Sequence, residues 1–344
     1  MSVAVVGGGI IGLAIAWRLA QRGQEVRVYD PAAGNGAWQV AAGMLAPSGE
    51  FGFGLPALGC LLAESARRWP GFAASLFAET GMDLGYDDAG TLSVALTADD
   101  LAEATRLWRF QQLTPMRTSE LRVLEPALSP RVRAGAYAPD DRQVDPRLVV
   151  AALRESLVRT GVRMVTERVE KLTDLDASTV VVAAGCGTAA LTGLPVRPVK
   201  GQVIRLRGEP GLLRHVVSAR VDGAHVYLVP RADGEIVVGA TQEERGDRVI
   251  TAGGVLGLLR SAVDLIPDLA EAELVEAVAG HRPGTPDNAP LLGALDDRTV
   301  VAAGHFRNGV LLAPITADLI ADLIDTGKAD PMLEHFAPRR QSCG

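Results

Sequence analysis

Three glycines near the start of the chain, Gly7, Gly9 and Gly12, stand in the spacing G-x-G-x-x-G, and a carboxylate, Asp30, follows eighteen residues after the last of them. Each residue type has a task in that pattern. The first glycine permits a tight turn, and the second lets the backbone come close to a pyrophosphate. The third lets a helix, opening here at Ile10 and Ile11, pack closely on a sheet. An acid at the end of the next strand can accept from a ribose hydroxyl. A second set of chemically expressive residues comes late. Arg282 stands in "GHRPGTPDNAPLLG", and Arg307 stands between Gly304 and Gly309 directly before a long apolar run. A charge in such a setting is expensive unless something needs it. The planar fork of a guanidinium is suited to holding a carboxylate through two parallel hydrogen bonds.

The elements that must position the first set are readable. "VAVVGGGIIGLAIAWRLAQRGQEVRVYD" parses as strand, glycine turn, helix and strand. Val3 to Val6 is a short apolar run that suits a buried parallel strand. Ala16 and Leu19 share one helical face, Gly23 ends the helix, and Val26 and Val28 alternate in the second strand. Together these features make an adenine-dinucleotide site. A nicotinamide domain would continue with further βα units. This chain instead enters "PAAGNGAWQVAAGMLAPSGEFGFGLP", where Ala41, Ala42 and Gly43 invite close approach by a second part of an extended cofactor. That points to FAD.

Further along, apolar residues fall at helical spacing from Leu61 to Thr80 and from Ala98 to Gln112, and "TLSVAL" from Thr91 reads as a strand. Asp145 and Pro146 make a helix start. "VRMV" and "STVVVAAG" read as strands, the second ending at Ala184 and Gly185, where small residues again permit close approach. "VKGQVIRLRG" and "AHVYLVPRADGEIVVGAT" alternate as antiparallel strands, the latter turning at Ala232, Asp233 and Gly234. The fold class expected is α/β, α+β overall: a Rossmann-like dinucleotide-binding domain interleaved with a mixed-sheet domain. Segments 1–82, 142–195 and 286–344 are assigned to the first domain, and 83–141 and 196–285 to the second.

Composition narrows the class. The chain has 344 residues, 48% hydrophobic and 22% charged, with a formal net charge of -7. This describes a globular protein too long for one small core. No Lys/Arg-rich block offers a nucleic-acid footprint. Cys60, Cys186 and Cys343 are too widely spaced for a metal site or a disulfide framework. The apolar start has no basic flank and is broken by glycines, and no segment is apolar for long enough to span a bilayer. A cytoplasmic protein without a metal, a nucleic-acid partner or a membrane anchor is expected.

The stretches "VVGGGIIGLAIAWRLA", "AAGMLAP", "RPVKGQ", "VYLVPRADGEIVVGATQEERG", "GHRPGTPDNAPLLG" and "GHFRNGVLLAPITADLI" run from one end of the chain to the other. In that order they resemble the glycine oxidases of thiamine biosynthesis, within the D-amino-acid oxidase-like flavoenzymes. The resemblance implies FAD, and a homo-oligomer acting on a small amine or amino acid and O2. It implies hydride transfer to flavin N5 to form an imine, with glycine giving glyoxylate, ammonia and hydrogen peroxide. It assigns the substrate carboxylate to Arg282 and Tyr227 and sets Arg307 in the same cavity; His225, two residues from Tyr227 and so on the same strand face, either lines the pocket or is a structural histidine. The flavin nucleotide falls to Gly7, Gly9, Ile10, Ile11, Gly12, Asp30, Ala42, Gly43, Met44, Leu45, Val169, Ala184, Gly185 and Arg282. His305, Arg307, Asn308, Gly309, Val310 and Leu311 complete the set. A helix starting near Val310 is expected to aim its positive end at the flavin ring. The related sarcosine oxidases tether the flavin through a cysteine just before the stretch matching "TPD". Here "AVAGHRPGTPD" has no thiol, which implies a non-covalent flavin.

Two departures from the pattern bear on the substrate. After "AAGMLAP" an acidic segment is expected, but the chain reads "SGEFGFGLPALG", keeping Glu50 and flanking Phe53 with Gly52 and Gly54. At Gln242 some members carry an apolar residue pointing into the pocket. These changes leave open an N-substituted glycine, an N-carboxymethyl amine or amino acid with an apolar tail, cleaved to glyoxylate and a free amine.

Overall fold

The computed structural model describes residues 2–31, 36–50, 56–221 and 223–340. Two large sheets divide the chain, and a third, small one pairs Met44–Leu45 with Arg142–Gln143. The first has six strands in the order Leu291–Ala294, Thr299–Ala303, Thr179–Val182, Ser2–Val6, Glu25–Tyr29 and Arg163–Val165, all parallel except for the first pair. Alternation along its strands sends residues to opposite faces. Val3, Val5, Val26, Val28 and Val181 join a large core under the helices Ile10–Gln21, Pro56–Thr80, Pro146–Arg159 and Ala313–Thr326, while Ala4, Val6, Val180 and Val182 pack on the other face.

The second sheet has eight strands in the order Glu273–Gly284, Arg197–Arg207, Glu235–Gly239, Ala224–Pro230, Val216–Val221, Thr91–Ala95, Ala134–Ala138 and Pro115–Met116. Its neighbours are antiparallel apart from the parallel pair Val216–Val221 and Thr91–Ala95, so the sheet is mixed. Val226, Leu228, Ile236 and Val238 are covered by the helix Ala252–Leu265. Tyr227, Val229 and Val237, on the opposite face, form a small core with Ala42 and Met44 from the other half of the molecule. No helix among the described residues is long and apolar enough to cross a membrane.

Sequence expectation and structure differ at three helix boundaries. The helix expected from Leu61 begins at Pro56 and carries Pro70 within it. The one expected to reach Gln112 stops at Phe110. The helix expected from about Val310 begins at Ala313. Before it lies a separate turn, in which Leu312 N–H donates to Asn308 O at 2.8 Å and Ala313 N–H to Val310 O at 3.2 Å. The reason is Pro314: lacking an N–H, it cannot close a helical bond back to Val310. The helix Ala252–Leu265 and the long edge strand Glu273–Gly284 are additions that the sequence pattern does not announce. That strand is broken by glycines and a proline, so no clean alternation marks it.

The strand–turn–helix at the start is a tight joint in the fold. A Cβ on Gly12 would sit 1.9 Å from Gly7 O, and one on Gly7 would sit 2.3 Å from Ala183 O. Gly12→Ala is therefore expected to lower stability by about 2 kcal/mol or more. Urea unfolding checks this, and an unchanged midpoint would show that the contact relaxes freely. His305 lies buried under the C-terminal helix, its Nε2 3.1 Å from Thr316 Oγ1. Burial pushes its pKa from the ordinary 6.5 down to about 3. The imidazole is thus neutral when folded, and the unfolded chain takes up its proton first as pH falls. The stability this group supplies is full above pH 6.5 and is lost progressively below it. Between about pH 7 and pH 5 the wild type should lose about 2 kcal/mol relative to His305→Gln. Parallel stability-versus-pH curves for the two proteins would remove His305 from the acid response.

Candidate active site

A cavity of 820 Å³ runs between the two sheets, within the range of small-molecule and cofactor sites. One wall is built at the carboxyl ends of the parallel strands, where ligands bind in open α/β sheets. Gly7, Gly9, Ile10 and Ile11 line it, with Asp30, Val169, Ala184 and Gly185. Asp30 also closes the turn, accepting from Gly8 N–H at 2.7 Å. The helix Ile10–Gln21 opens on the cavity with Gly9 as its N-cap, with no side-chain cap and no acid in its first turn. Its first N–H groups thus have no intrahelical acceptor and suit an anion. Gly12 stands behind this wall, pressed on Gly7, and Leu45 is buried in the main core. Neither lines the cavity, so both act on it only through packing.

The loop carrying Ala41, Ala42, Gly43 and Met44 runs along the cavity, and arginines from the surrounding elements anchor it. Arg231 Nη2 donates to Ala42 O at 2.6 Å, and Arg147 Nε donates to Gln39 O at 3.0 Å. Opposite lies the turn Gly304–Leu311, which contributes His305, Arg307, Asn308, Gly309, Val310 and Leu311. Ser65 Oγ and Trp69 Nε1, one helical turn apart on Pro56–Thr80, both donate to Leu311 O, at 2.6 and 2.9 Å. Phe306 N–H donates to Pro283 O at 3.0 Å, which ties the turn bearing Arg307 to the strand bearing Arg282.

Arg282, Tyr227, His225 and Gln242 all line the cavity from the eight-stranded sheet and the segment that follows it. Two of these side chains lie across glycines of the neighbouring strand. A Cβ on Gly201 would be 2.4 Å from Arg282 Nη1, and one on Gly239 would be 2.2 Å from the Tyr227 hydroxyl oxygen. Those glycines are the signal in the sequence that could have marked both side chains as lying flat on the sheet. Arg282 Nη1 donates to Thr241 O at 3.1 Å and to Lys200 O at 3.4 Å. His225, two residues from Tyr227, shares its face, with ring centroids 6.2 Å apart, and its Nε2 is 3.2 Å from Ser218 Oγ. Phe53 and the side chain of Glu50 lie outside the described residues. Trp38, Cys186 and Arg248 also enter the wall, although nothing in the sequence pattern singles them out.

The residues present fit a flavin dinucleotide. The uncapped helix end, the acid at Asp30 and the small residues of both loops leave a cradle, and Asn308 Oδ1 is buried beside it with no hydrogen-bond partner among the described residues. A buried acceptor in that state needs a donor from a ligand or from water.

Residues 2–323 match the model of the DAO family, described as FAD dependent oxidoreductase. The chain is 38% identical to the glycine oxidase of Geobacillus kaustophilus over 355 residues, covering 94% of this chain and 92% of that protein. It is also 38% identical to the bifunctional protein ThiO/ThiG of Synechocystis over 358 residues, covering 98% of this chain but 54% of the relative, so it spans about half that protein's length. Among solved structures, the G. kaustophilus glycine oxidase superposes with a TM-score of 0.89 at 34% identity over 98% of both chains. Iminodiacetate oxidase from Chelativorans sp. BNC1 superposes with a TM-score of 0.87 at 25% identity, again over 98% of both. The chain therefore belongs to the DAO family of FAD-dependent oxidoreductases and is an enzyme of FAD-dependent amine oxidation.

Proposed function

We propose that the enzyme is an oxidase of glycine and of small amines such as sarcosine and D-alanine, giving, from glycine and O2, glyoxylate, ammonia and hydrogen peroxide. The observation that carries this reading is the meeting of Arg282, Tyr227 and Arg307 in one cavity wall, in a chain 38% identical to a glycine oxidase. Gly7, Gly9, Ile10 and Ile11 would hold the FAD pyrophosphate and Asp30 the ribose. Val169, Ala184 and Gly185 would hold the adenosine end, and Ala42–Met44 with the turn His305–Leu311 the ring system. In this reading segments 1–82, 142–195 and 286–344 carry the cofactor, and 83–141 with 196–285 carry the substrate. Binding would be non-covalent. No cysteine stands in 277–287, and burial raises the Cys186 thiol in the wall to about 11, which keeps it protonated and unreactive at neutral pH.

The FAD, when bound, supplies the two-electron acceptor that takes hydride from the substrate Cα and passes the electrons to O2. The protein's own work is placement. Arg282 donates to the substrate carboxylate through its guanidinium fork, and the Tyr227 hydroxyl donates a further hydrogen bond, which together fix which Cα–H faces the ring. Arg307, in the same cavity, would add positive potential that stabilises the reduced cofactor. The carboxylates lining the wall among the described residues, Asp30 and Glu170, come from the dinucleotide-binding layer. Of the three histidines in the wall among the described residues, His225 is engaged with Ser218, His281 Nε2 lies 2.9 Å from Asp247 O, and His305 is held neutral by burial. This inventory suits a reaction in which the amine binds neutral and no strong base removes a proton from carbon. Water then hydrolyses the released imine.

A second reading, oxidation of an N-substituted glycine to glyoxylate and a free amine, is favoured by Gln242, an exposed polar side chain in the cavity wall. The fold likeness to a protein named iminodiacetate oxidase points the same way, since iminodiacetate is glycine with an N-carboxymethyl group.

Two measurements test these readings. Arg282→Met should raise KM for glycine by about 10- to 100-fold, the worth of a charge-assisted pair, while yellow flavin stays bound. Unchanged kinetics would remove Arg282 from the carboxylate site. In anaerobic titration, glycine or sarcosine should bleach the flavin band. Bleaching by a long-tailed N-alkyl glycine alone would select the second reading.

A further inference from the structure

Residues 241–249 leave the strand Glu235–Gly239 and run back beside the strand Arg197–Arg207. Backbone bonds hold them there: Thr241 N–H donates to Gln202 O at 3.1 Å, Lys200 N–H to Glu243 O at 2.8 Å, and Glu243 N–H to Lys200 O at 2.9 Å. Between these segments lies the Lys200 side chain, 0% exposed. Its ammonium is 2.9 Å from Asp247 Oδ1 and 3.4 Å from Glu243 Oε2. Gln202 Nε2 and Thr241 Oγ1 each donate to Glu243 Oε1 at 2.7 Å. The Asp247 carboxyl is held down at about 2 by the hydrogen bond from Lys200 and by Val249 N–H, so it stays ionised at any working pH.

A buried ammonium is costly even when paired, and removing its charge takes from Glu243 and Asp247 the one cation set between them, leaving Asp247 its outer pair with Arg245 at 2.8 Å. The reaction proposed above gives Lys200 no chemical task. The arrangement around Arg282 suggests one. Two carbonyls that accept from the Arg282 guanidinium are those of Thr241 and Lys200, one on each of the segments that Lys200 joins. If the segments separate, the guanidinium can no longer keep both partners in one geometry.

We propose that Lys200, acting through Glu243 and Asp247, is a positioning residue for the carboxylate clamp. It locks segment 241–249 onto the strand Arg197–Arg207, so that the carbonyls of Thr241 and Lys200 hold the Arg282 guanidinium flat over Gly201 and against the cavity. The same lock sets where Gln242, next to Thr241, enters the wall. The inference rests on Arg282 being the carboxylate clamp.

The test uses FAD-loaded protein and acetate as the probe, its binding followed by the shift of the flavin visible band. The variants are Lys200→Met, Asp247→Asn and, for reference, Arg282→Met. Lys200→Met and Asp247→Asn should each weaken acetate about tenfold and raise KM for the amino acid by a similar factor, with kcat and flavin content within about twofold of wild type. Lys200→Met that melts earlier yet binds acetate as tightly as wild type would make Lys200 a support of the core alone and overturn the proposal. If Lys200→Met fails to fold, Asp247→Asn, at a partly exposed carboxylate, decides the question by the same acetate measurement. Loss of acetate binding in Arg282→Met but not in the other two overturns this inference and leaves the clamp standing. Acetate binding that survives in Arg282→Met overturns the clamp and this inference with it.

Discussion

The fold depends first on an absence of side chain. At Gly7 and Gly12 the first helix, the first strand and the end of the strand Thr179–Val182 come closer than any Cβ would permit. That closeness brings the uncapped helix end and the Ala184–Gly185 turn to one crevice, where the N–H groups of the first helical turn can meet an anion. A larger residue at either glycine would push the helix off the sheet, and the crevice would lose the geometry that makes it a dinucleotide site.

The second requirement is that the two sheets hold a fixed relation across the cavity. Here the interior is charged. Arg231, largely buried, donates to Ala42 O and to Gln143 Oε1 and lies 3.8 Å from Asp145, which caps the helix Pro146–Arg159. Burial is the main cause that lowers its pKa, with Asp145 acting against it. Arg147 reaches Gln39 O and pairs with Glu276 at 2.7 Å, and Glu276 also lies 3.1 Å from Arg205 Nε. Apolar packing alone would let the cavity loop slide. Directional bonds to its carbonyls, from the largely buried Arg231 and the half-buried Arg147, do not.

The same logic places the proposed clamp. Arg282 and Tyr227 stand on different strands and lie across Gly201 and Gly239 of the adjacent strands. Each is laid down on the sheet by a missing neighbour, with long side chains occupying the space a Cβ would have taken. The pairing of Phe306 N–H with Pro283 O then brings the Arg307 turn to the same wall. Segments separated by many tens of residues thus reach the cavity through strand register and a few backbone bonds.

How much of this is legible in the sequence varies with the range of the interaction. The glycine turn is readable because its geometry is local: Gly7, Gly9, Gly12 and Asp30 stand within one strand–helix–strand unit whose spacing is set by covalent geometry. The strands through Tyr227 and Arg205 are visible as alternation. The broken strand Glu273–Gly284 is hidden because its glycines erase the period. The apolar run before the last helix suggests a start three residues too early, because Pro314 outweighs it. Leu45 adjoins Met44 and so reads as a cofactor residue, but strand alternation turns it into the core. Motifs alone suggest that Arg282 and Arg307 serve one site, yet no spacing in the chain dictates that they meet. By itself the sequence determined the dinucleotide-binding unit, whose parts are neighbours along the chain. The tertiary structure decided which faces of the second sheet line the cavity, where Lys200 is buried and which carbonyls hold Arg282. These depend on register between distant strands, a choice made by packing and hydrogen bonding across the whole molecule.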